Sequence, residues 1–141
     1  MNKSALSWIG LLVPIGAWGD DVSEADRLLC SVSRIMLCVE TGECYEAEPW
    51  EADVPQFVVV DTQRKTISTT RASNEQRSTP IASYRREGGL IYLQGIEAGR
   101  AFSFVVDEAT GLVTVAVSRD GLSVNVFGAC TDSGVEAAIH R

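Results

Sequence analysis

The chain has 141 residues, of which 45% are hydrophobic and 22% charged, and its formal net charge is −7 at pH 7. A chain of this length can bury one hydrophobic core and is too short for two. Its acidic balance argues against nucleic acid and anionic lipid as partners, and it would speed encounter with a cationic partner.

The N-terminal segment has the pattern of a cleavable signal peptide. Lys3 is the only charge before Asp20, and an apolar run over residues 5–17 follows it. The small residues Ala17 and Gly19 occupy the minus-three and minus-one positions of a cut before Asp20. Because spanning a bilayer takes about 20 apolar residues, this run is too short for an anchor. We therefore expect a signal peptide over 1–19 and a periplasmic or secreted mature protein without membrane contact.

The predicted mature chain, residues 20–141, is expected to form one β-barrel domain, with 133–141 as a loose C-terminal tail. Residues 20–53 hold ten acidic side chains against two basic ones. The densest stretch is 40–53, with six acidic residues and no basic one. The simplest interpretation is a solvated face that aids solubility, and the alternative is a surface for a cationic partner.

The first half of the mature chain gives mixed signals for secondary structure. Ser23 and Asp26 resemble a capping box, and the apolar residues of 28–39 have helical spacing, although this segment is rich in Ser, Val and Cys. We favour a short helical turn near Ser23 followed by a strand. Residues 57–61 and 66–70 are predicted strands, and the polar stretch that follows them is predicted to be a loop over 72–78.

Four cysteines, Cys30, Cys38, Cys44 and Cys130, predict two disulfides. They lack C-x-x-C spacing and the only histidine is His140, so a zinc site is poorly supported. In an oxidising compartment disulfides are the default. Cys38 and Cys44 flank a turn-like Thr-Gly pair and are expected to pair locally. Cys30 would then pair with Cys130 and tie the start of the domain to its end.

The second half reads as five strands separated by turn signals such as Gly-Gly and Asp-Gly, which suit two-residue hairpins. Successive hairpins predict an antiparallel meander. The predicted strands cover residues 81–86, 90–97, 100–106, 112–118 and 122–127.

Side chains in this half alternate as half-buried strands require. Phe102, Phe104 and Val106 share one face, and both faces of 112–118 are apolar or small, which places that strand centrally. Together with the first half, the total is about eight or nine strands. We predict an all-β antiparallel meander in a small closed or nearly closed barrel of lipocalin-like size, since closure removes sheet edges.

The stretch LIYLQGIEAGRAFSFVVDEATGLVTVAVSRDG and the later FGAC, with the early LLC and CVETGEC, resemble small exported bacterial proteins of unknown function. This resemblance implies an exported β-meander that ends in a Gly-Ala-Cys segment, and it implies no activity. The chain is also similar to lipocalin-type barrels in strand count alone. The G-x-W signature of their first strand is missing, and the only tryptophan after residue 19 is Trp50.

The sequence offers little support for catalysis. A nucleophilic site needs a well-held imidazole, and the single histidine is the penultimate residue; nucleotide-binding loops and metal motifs are also missing from the sequence. Acidic residues of 46–53 could supply a carboxylate pair, although such clusters are more often solvated. Arg85 and Arg86 could form an anion site, but on a strand they point to opposite faces, so surface charge is the better interpretation. We predict a protein that is not an enzyme and has no cofactor.

Two functions remain as hypotheses. One is a barrel that holds a small apolar or amphipathic ligand, because barrels of about eight strands have just enough interior for one. The other is an acidic protein that meets a cationic envelope protein, for instance as an inhibitor of a hydrolase. Trp50 is either a recognition residue among these acids or, more often for such a residue, a plug at one end of the barrel. The possible interaction surface comprises Glu40, Glu43, Glu46, Glu48, Trp50, Glu51 and Asp53.

Overall fold

The computed structural model describes residues 19–134 of the chain. The predicted signal peptide, apart from Gly19, and most of the predicted tail lie outside this range. Within it the secondary structure is almost entirely β, with a four-residue helix, α1 (Pro49–Ala52), and two helical residues at 133–134. The strands are β1 (Arg27–Val39), β2 (Cys44–Glu46), β3 (Phe57–Asp61), β4 (Thr66–Thr69), β5 (Ser78–Pro80), β6 (Ser83–Glu87), β7 (Leu90–Glu97), β8 (Arg100–Asp107), β9 (Leu112–Arg119) and β10 (Leu122–Asp132).

All pairings between these strands are antiparallel, and they form one sheet in the order β5-β4-β3-β1-β10-β9-β8-β7-β6, with β2 paired to the end of β1. The all-β antiparallel fold class is confirmed. The described residues contain ten strands where about eight or nine were predicted. The additional strands β2 and β5 have three residues each, which is too short for alternation to identify them.

The sheet curls into a half-barrel because its first and last strands are consecutive in the chain. Only Ile81 and Ala82 separate β5 from β6. The Ile81 N–H donates to the Lys65 carbonyl at the end of β4, and the Ala82 N–H donates to the Gln94 carbonyl on β7. This corner therefore connects the two ends of the sheet, although β5 and β6 do not pair with each other.

The predicted five-stranded meander is confirmed as β6 through β10, in which each strand pairs with the next. The predicted faces also hold, since Phe104 and Val106 are buried while Ala101 and Val105 are exposed. Strand β9 has neighbours on both edges, as expected for residues 112–118.

The ambiguous segment 28–39 is a strand, as favoured, and it forms most of β1. Near Ser23 the chain makes a turn and no helix, and the Ser23 hydroxyl donates to the Asp21 carboxylate at 2.6 Å instead of forming a capping box with Asp26. Strand pairing on both sides, to β3 and to β10, outweighs the helical spacing of the apolar residues.

Both predicted disulfides are confirmed. Cys30 and Cys130 face each other in the register of β1 and β10. Cys38 and Cys44 face each other in the register of β1 and β2. The first disulfide therefore joins neighbouring strands that are 100 residues apart in sequence, which ties the beginning of the domain to its end.

One end of the half-barrel is sealed by the segment that precedes β1. Val22 and Ala25 are almost fully buried there. Arg86 holds this segment by donating to the carbonyls of Ser23 and Ala25 at 2.7 and 2.5 Å. We call this the sealed end. The opposite end, where α1 and the β7–β8 and β9–β10 turns lie, is the α1 end.

No helix between residues 19 and 134 has both the length and the apolar character needed to cross a membrane.

Candidate functional site: an internal cavity and its charged rim

An apolar cavity of about 120 Å³ lies inside the half-barrel, toward the α1 end. Close-packed protein interiors leave few voids larger than one water molecule, so a space of this size is a distinct feature of the fold. Its walls come from the inward faces of most strands of the sheet. The apolar side chains of the wall belong to Cys30, Val32, Val54, Pro55, Val58, Ile67, Phe102, Phe104, Val113, Val115, Val117 and Val126.

The size of the inward residues explains why this space is unfilled. Three valines, Val113, Val115 and Val117, alternate along β9 where longer side chains would reach across the interior. On the neighbouring β10, the inward position after Val126 is Gly128, which offers no side chain. Strand β1 has a bulge between Val32 and Arg34, and beside it β1 lies very close to Gly128 of β10. A Cβ atom at Gly128 would lie 2.1 Å from the Ser31 carbonyl oxygen, so this position requires glycine.

Two aromatic rings complete the wall on the side of β8. The rings of Phe102 and Phe104 meet edge to face with their centroids 5.8 Å apart. Phe102 also packs directly over the backbone of β7 at Gly95. A Cβ atom added at Gly95 would lie only 2.6 Å from the Phe102 ring, so this packing requires glycine. The rings are thus held in place by packing.

A cluster of charged side chains forms the rim of the cavity at the α1 end. Glu97 lies at its centre and accepts hydrogen bonds from Arg77 at 2.6 Å and from Arg100 at 2.8 Å. Arg77 also pairs with the carboxylates of Asp53 and Glu75, each at 3.3 Å. All five residues except Glu75 line the cavity. The rim therefore combines two cations with three anions.

The central members of the cluster remain ionised at neutral pH. Burial acts to raise the pKa of Glu97, but hydrogen bonds and positive charge from Arg77 and Arg100 outweigh it, so this pKa lies below its ordinary value. Burial likewise acts to lower the pKa of Arg77, and the contacts with Glu97 outweigh it and raise that pKa. The ion pairs therefore form a stable rim at neutral pH.

Arg100 also connects the rim to the short helix. Its guanidinium donates to the carbonyl oxygens of Ala52 and Asp53 at 3.0 and 3.1 Å. These carbonyls lie at the C-terminal end of α1, where the backbone presents partial negative charge. Arg100 is 8% exposed, so its charge is satisfied by protein groups and not by water.

The predicted interaction surface lies at the same end of the half-barrel. Every one of its seven residues is exposed. Asp53 is shared with the rim, which makes the acidic surface continuous with the cavity mouth. Local contacts fix part of it: Glu51 accepts the Glu48 backbone N–H at 2.8 Å, and Glu46 pairs with Arg34 at 3.5 Å.

The interpretation of Trp50 as a plug of the barrel is wrong. This side chain is 79% exposed. It lies on the outward side of α1, whereas the inward position of the helix is taken by Ala52, which is 4% exposed. Ala52, and not Trp50, therefore covers the interior of the half-barrel at the α1 end.

The two arginines considered as an anion site make separate contacts in the structure. Arg85 pairs with Glu87 on the surface. Arg86 contacts Glu108 and the carbonyls of the sealed end, so both arginines are already engaged within the protein. Among residues 19–134, no three His, Cys, Asp or Glu side chains are arranged to hold a metal ion.

Sequence reasoning identified the cavity wall in part and missed the rim. The alternation of residues 102–106 and 113–117 marked two faces without showing which one is inward. Arg77 and Glu97 carried no signal, because they are 20 residues apart in sequence and are brought together only by the fold of the sheet. The one local sign was the arginine after the Ala98-Gly99 turn, three residues from Glu97.

Comparison of the chain with family models, curated proteins and solved structures gave no match.

Proposed function

We propose that this protein is a non-catalytic binding protein that holds a small, mostly apolar molecule in its cavity. The observation that carries the proposal is the 120 Å³ space walled by Val113, Val115 and Phe104 and bounded by a charged rim. An apolar cavity of about 150 Å³ in another protein stays dry and binds benzene. A ligand of the size of one aromatic ring is therefore the expected class.

Toluene is a suitable probe for this cavity. We expect saturating toluene to raise the melting temperature of the wild-type protein by several degrees, since a ligand that binds only the folded state stabilises it by mass action. The variant Val115→Phe places a ring inside the cavity and should lose this shift. The variant Thr114→Leu changes the adjacent, exposed residue of β9 and should keep it.

Differential scanning calorimetry at several toluene concentrations measures both effects. A second filling variant, Val115→Leu, covers the case in which the phenylalanine prevents folding. The proposal fails if the wild type shows no shift, or if the folded filling variants respond to toluene as strongly as the wild type does.

We further propose that the protein is exported to the periplasm or the exterior. The two disulfides are compatible with an oxidising environment, and the pattern of the N-terminal residues supports a signal peptide. The predicted first residue, Asp20, has its backbone nitrogen 3.2 Å from the Cys130 carbonyl oxygen. A new amino terminus at this atom could keep that hydrogen bond.

We expect the exported protein to begin at Asp20. Intact-mass spectrometry of protein recovered from the periplasm or the medium would show a chain that begins at Asp20, with two fewer hydrogens for each disulfide. A mature form that retains Lys3 would contradict the prediction.

A second candidate function is supported by the exposure of Trp50 among acidic side chains. Tryptophan is frequent among residues that dominate binding energy at protein interfaces. The segment is anchored by the Cys38–Cys44 disulfide and by α1, which lowers the entropy lost on association. This surface would suit a cationic envelope protein, with inhibition of a cationic hydrolase as one outcome of binding.

For such a partner, association should slow markedly as salt rises, because the Debye length is about 8 Å at physiological ionic strength. Changing Glu46, Glu48 and Glu51 together to Gln should slow association at low salt. Stopped-flow measurements with the partner test both effects, and the matched control Glu87→Gln removes one exposed acid elsewhere. Association that ignores both changes would mean that the acidic surface is only solvated.

A further inference from the structure

Thr79 is a buried polar residue of the cavity wall whose hydroxyl has no hydrogen-bond partner within the described part of the protein. Thr79 lies on β5, lines the cavity and is 9% exposed. Its neighbours Ser78 and Pro80 face outward, which fixes the Thr79 side chain on the inward face. Among residues 19–134, no side-chain or backbone group makes a hydrogen bond with its hydroxyl, in contrast to the nearby Thr69 hydroxyl, which accepts from the Arg77 N–H at 2.9 Å.

A buried hydroxyl without a partner is costly, because it loses its hydrogen bonds to water and gains none in return. Native proteins keep few such groups, and each one calls for a reason. Here the hydroxyl lies in the wall of a space that can hold a ligand. A hydrogen bond from that ligand would satisfy it.

Thr79 lies directly inside the charged rim. It is two residues beyond Arg77 on the same inward side of the chain, and side chains two apart on a strand are about 7 Å apart. Val115 and Phe104 are cross-strand neighbours in one wall of the cavity. A ligand whose apolar body lies against them would have the Thr79 hydroxyl between that body and the ion pairs. The cavity is arranged for an apolar body with a polar group near the mouth.

The charges at the rim restrict what that polar group can be. Arg77 and Arg100 already donate to Glu97 and to other acceptors. With Asp53 and Glu75 included, the carboxylates of the cluster outnumber the guanidinium groups. A carboxylate on the ligand would meet net negative charge at the rim. A charged group of either sign at the depth of Thr79 would find only a neutral hydroxyl to replace its water.

We infer that the cavity takes a small apolar molecule that bears an uncharged hydroxyl, such as a monocyclic alcohol, with this hydroxyl bonded to Thr79 Oγ1. The inference rests on the proposed function and adds the chemical class of the ligand. Thr79 is the specificity-determining residue, because it is the most buried hydroxyl residue of the wall. Ser31, Ser68 and Thr69 are only half-buried, and the Thr69 hydroxyl is bonded to the Arg77 backbone.

Three probes of similar size, toluene, benzyl alcohol and benzoate, separate these features. Their affinities would be measured by isothermal titration calorimetry against the wild type, Thr79→Val and Thr79→Ser. Thr79→Val should weaken benzyl alcohol binding about tenfold while changing toluene binding less than twofold, since a hydrogen bond is lost and the shape is kept. Thr79→Ser should keep the benzyl alcohol affinity. Thr114→Val on the outer face is the matched control and should change neither.

The outcomes distinguish this inference from the function on which it rests. If toluene binds the wild type but Thr79→Val leaves benzyl alcohol binding unchanged, the hydroxyl is satisfied by a cavity water and the inference is wrong. If benzoate binds as tightly as benzyl alcohol, the net negative charge of the rim does not exclude a ligand carboxylate, and the assignment of an uncharged hydroxyl is wrong. If toluene itself does not bind, the cavity proposal fails. Thr79→Val is expected to fold at least as stably as the wild type, because a methyl group replaces an unpaired hydroxyl, and a thermal melt checks this.

Discussion

Replacing Cys130 with serine is expected to lower the free energy of unfolding by about 4–5 kcal/mol. In the chain-entropy description, the stabilisation by a disulfide grows with the loop that it closes, and a loop of 100 residues gives about 4.7 kcal/mol. The Cys30–Cys130 disulfide has that sequence separation. The same bond joins β1 to β10, the strands through which the two halves of the sheet meet.

Replacing Cys44 with serine is the matched comparison. Its disulfide to Cys38 spans six residues, for which the same relation gives about 2 kcal/mol. Urea denaturation of both variants measures the difference. Since Cys130 is fully buried and Cys44 is exposed, Cys130→Ala is needed to separate the effect of the disulfide from that of a buried serine hydroxyl. Equal costs for Cys130→Ala and Cys44→Ser would contradict the loop argument.

Features that depend on neighbours in sequence could be predicted without a structure. The Asp-Gly and Gly-Gly pairs fix hairpins locally, and Gly88, Gly89 and Gly121 indeed have positive φ angles. Alternation of side chains then defines the strands between these turns. The disulfide pairing followed by elimination, since one local pair leaves only one distant pair.

Features that depend on distant strands could not be predicted in this way. Alternation along β9 assigns Val115 and Thr114 to opposite faces of the sheet, but it does not show which face is inside the half-barrel. The curvature of the whole sheet determines that. The rim requires the start of β5, the end of β7 and α1 to converge at one end, which places Arg77 beside Glu97. Trp50 was misjudged because an aromatic residue after proline carries no sign of which side of a short helix it will occupy.

The second large effect is expected at Gly111, the residue that precedes β9. Its φ angle is 76°, in the left-handed region, and a Cβ atom there would lie 2.3 Å from the Cys130 carbonyl oxygen and 2.6 Å from that of Asp20. Both obstacles are backbone atoms, which cannot rotate away. Gly111→Ala should therefore cost about 3–4 kcal/mol, the sum of the left-handed penalty and of overpacking.

Gly99 provides the control, because it has a φ angle of 77° and nothing within 4 Å of its hypothetical Cβ atom. Gly99→Ala should carry the conformational penalty alone, about 1–2 kcal/mol. Urea denaturation of the two variants thus isolates the steric contribution as their difference. The added methyl group at Gly111 would push apart the backbone segments that two hydrogen bonds join. These bonds run from the Asp20 N–H to the Cys130 carbonyl and from the Cys130 N–H to the Gly111 carbonyl. In the structure the backbone of Asp20 lies against Gly111, and the Val22 N–H donates to the Glu108 carbonyl in the β8–β9 turn. Equal losses of stability in the two alanine variants would contradict this close packing at the sealed end.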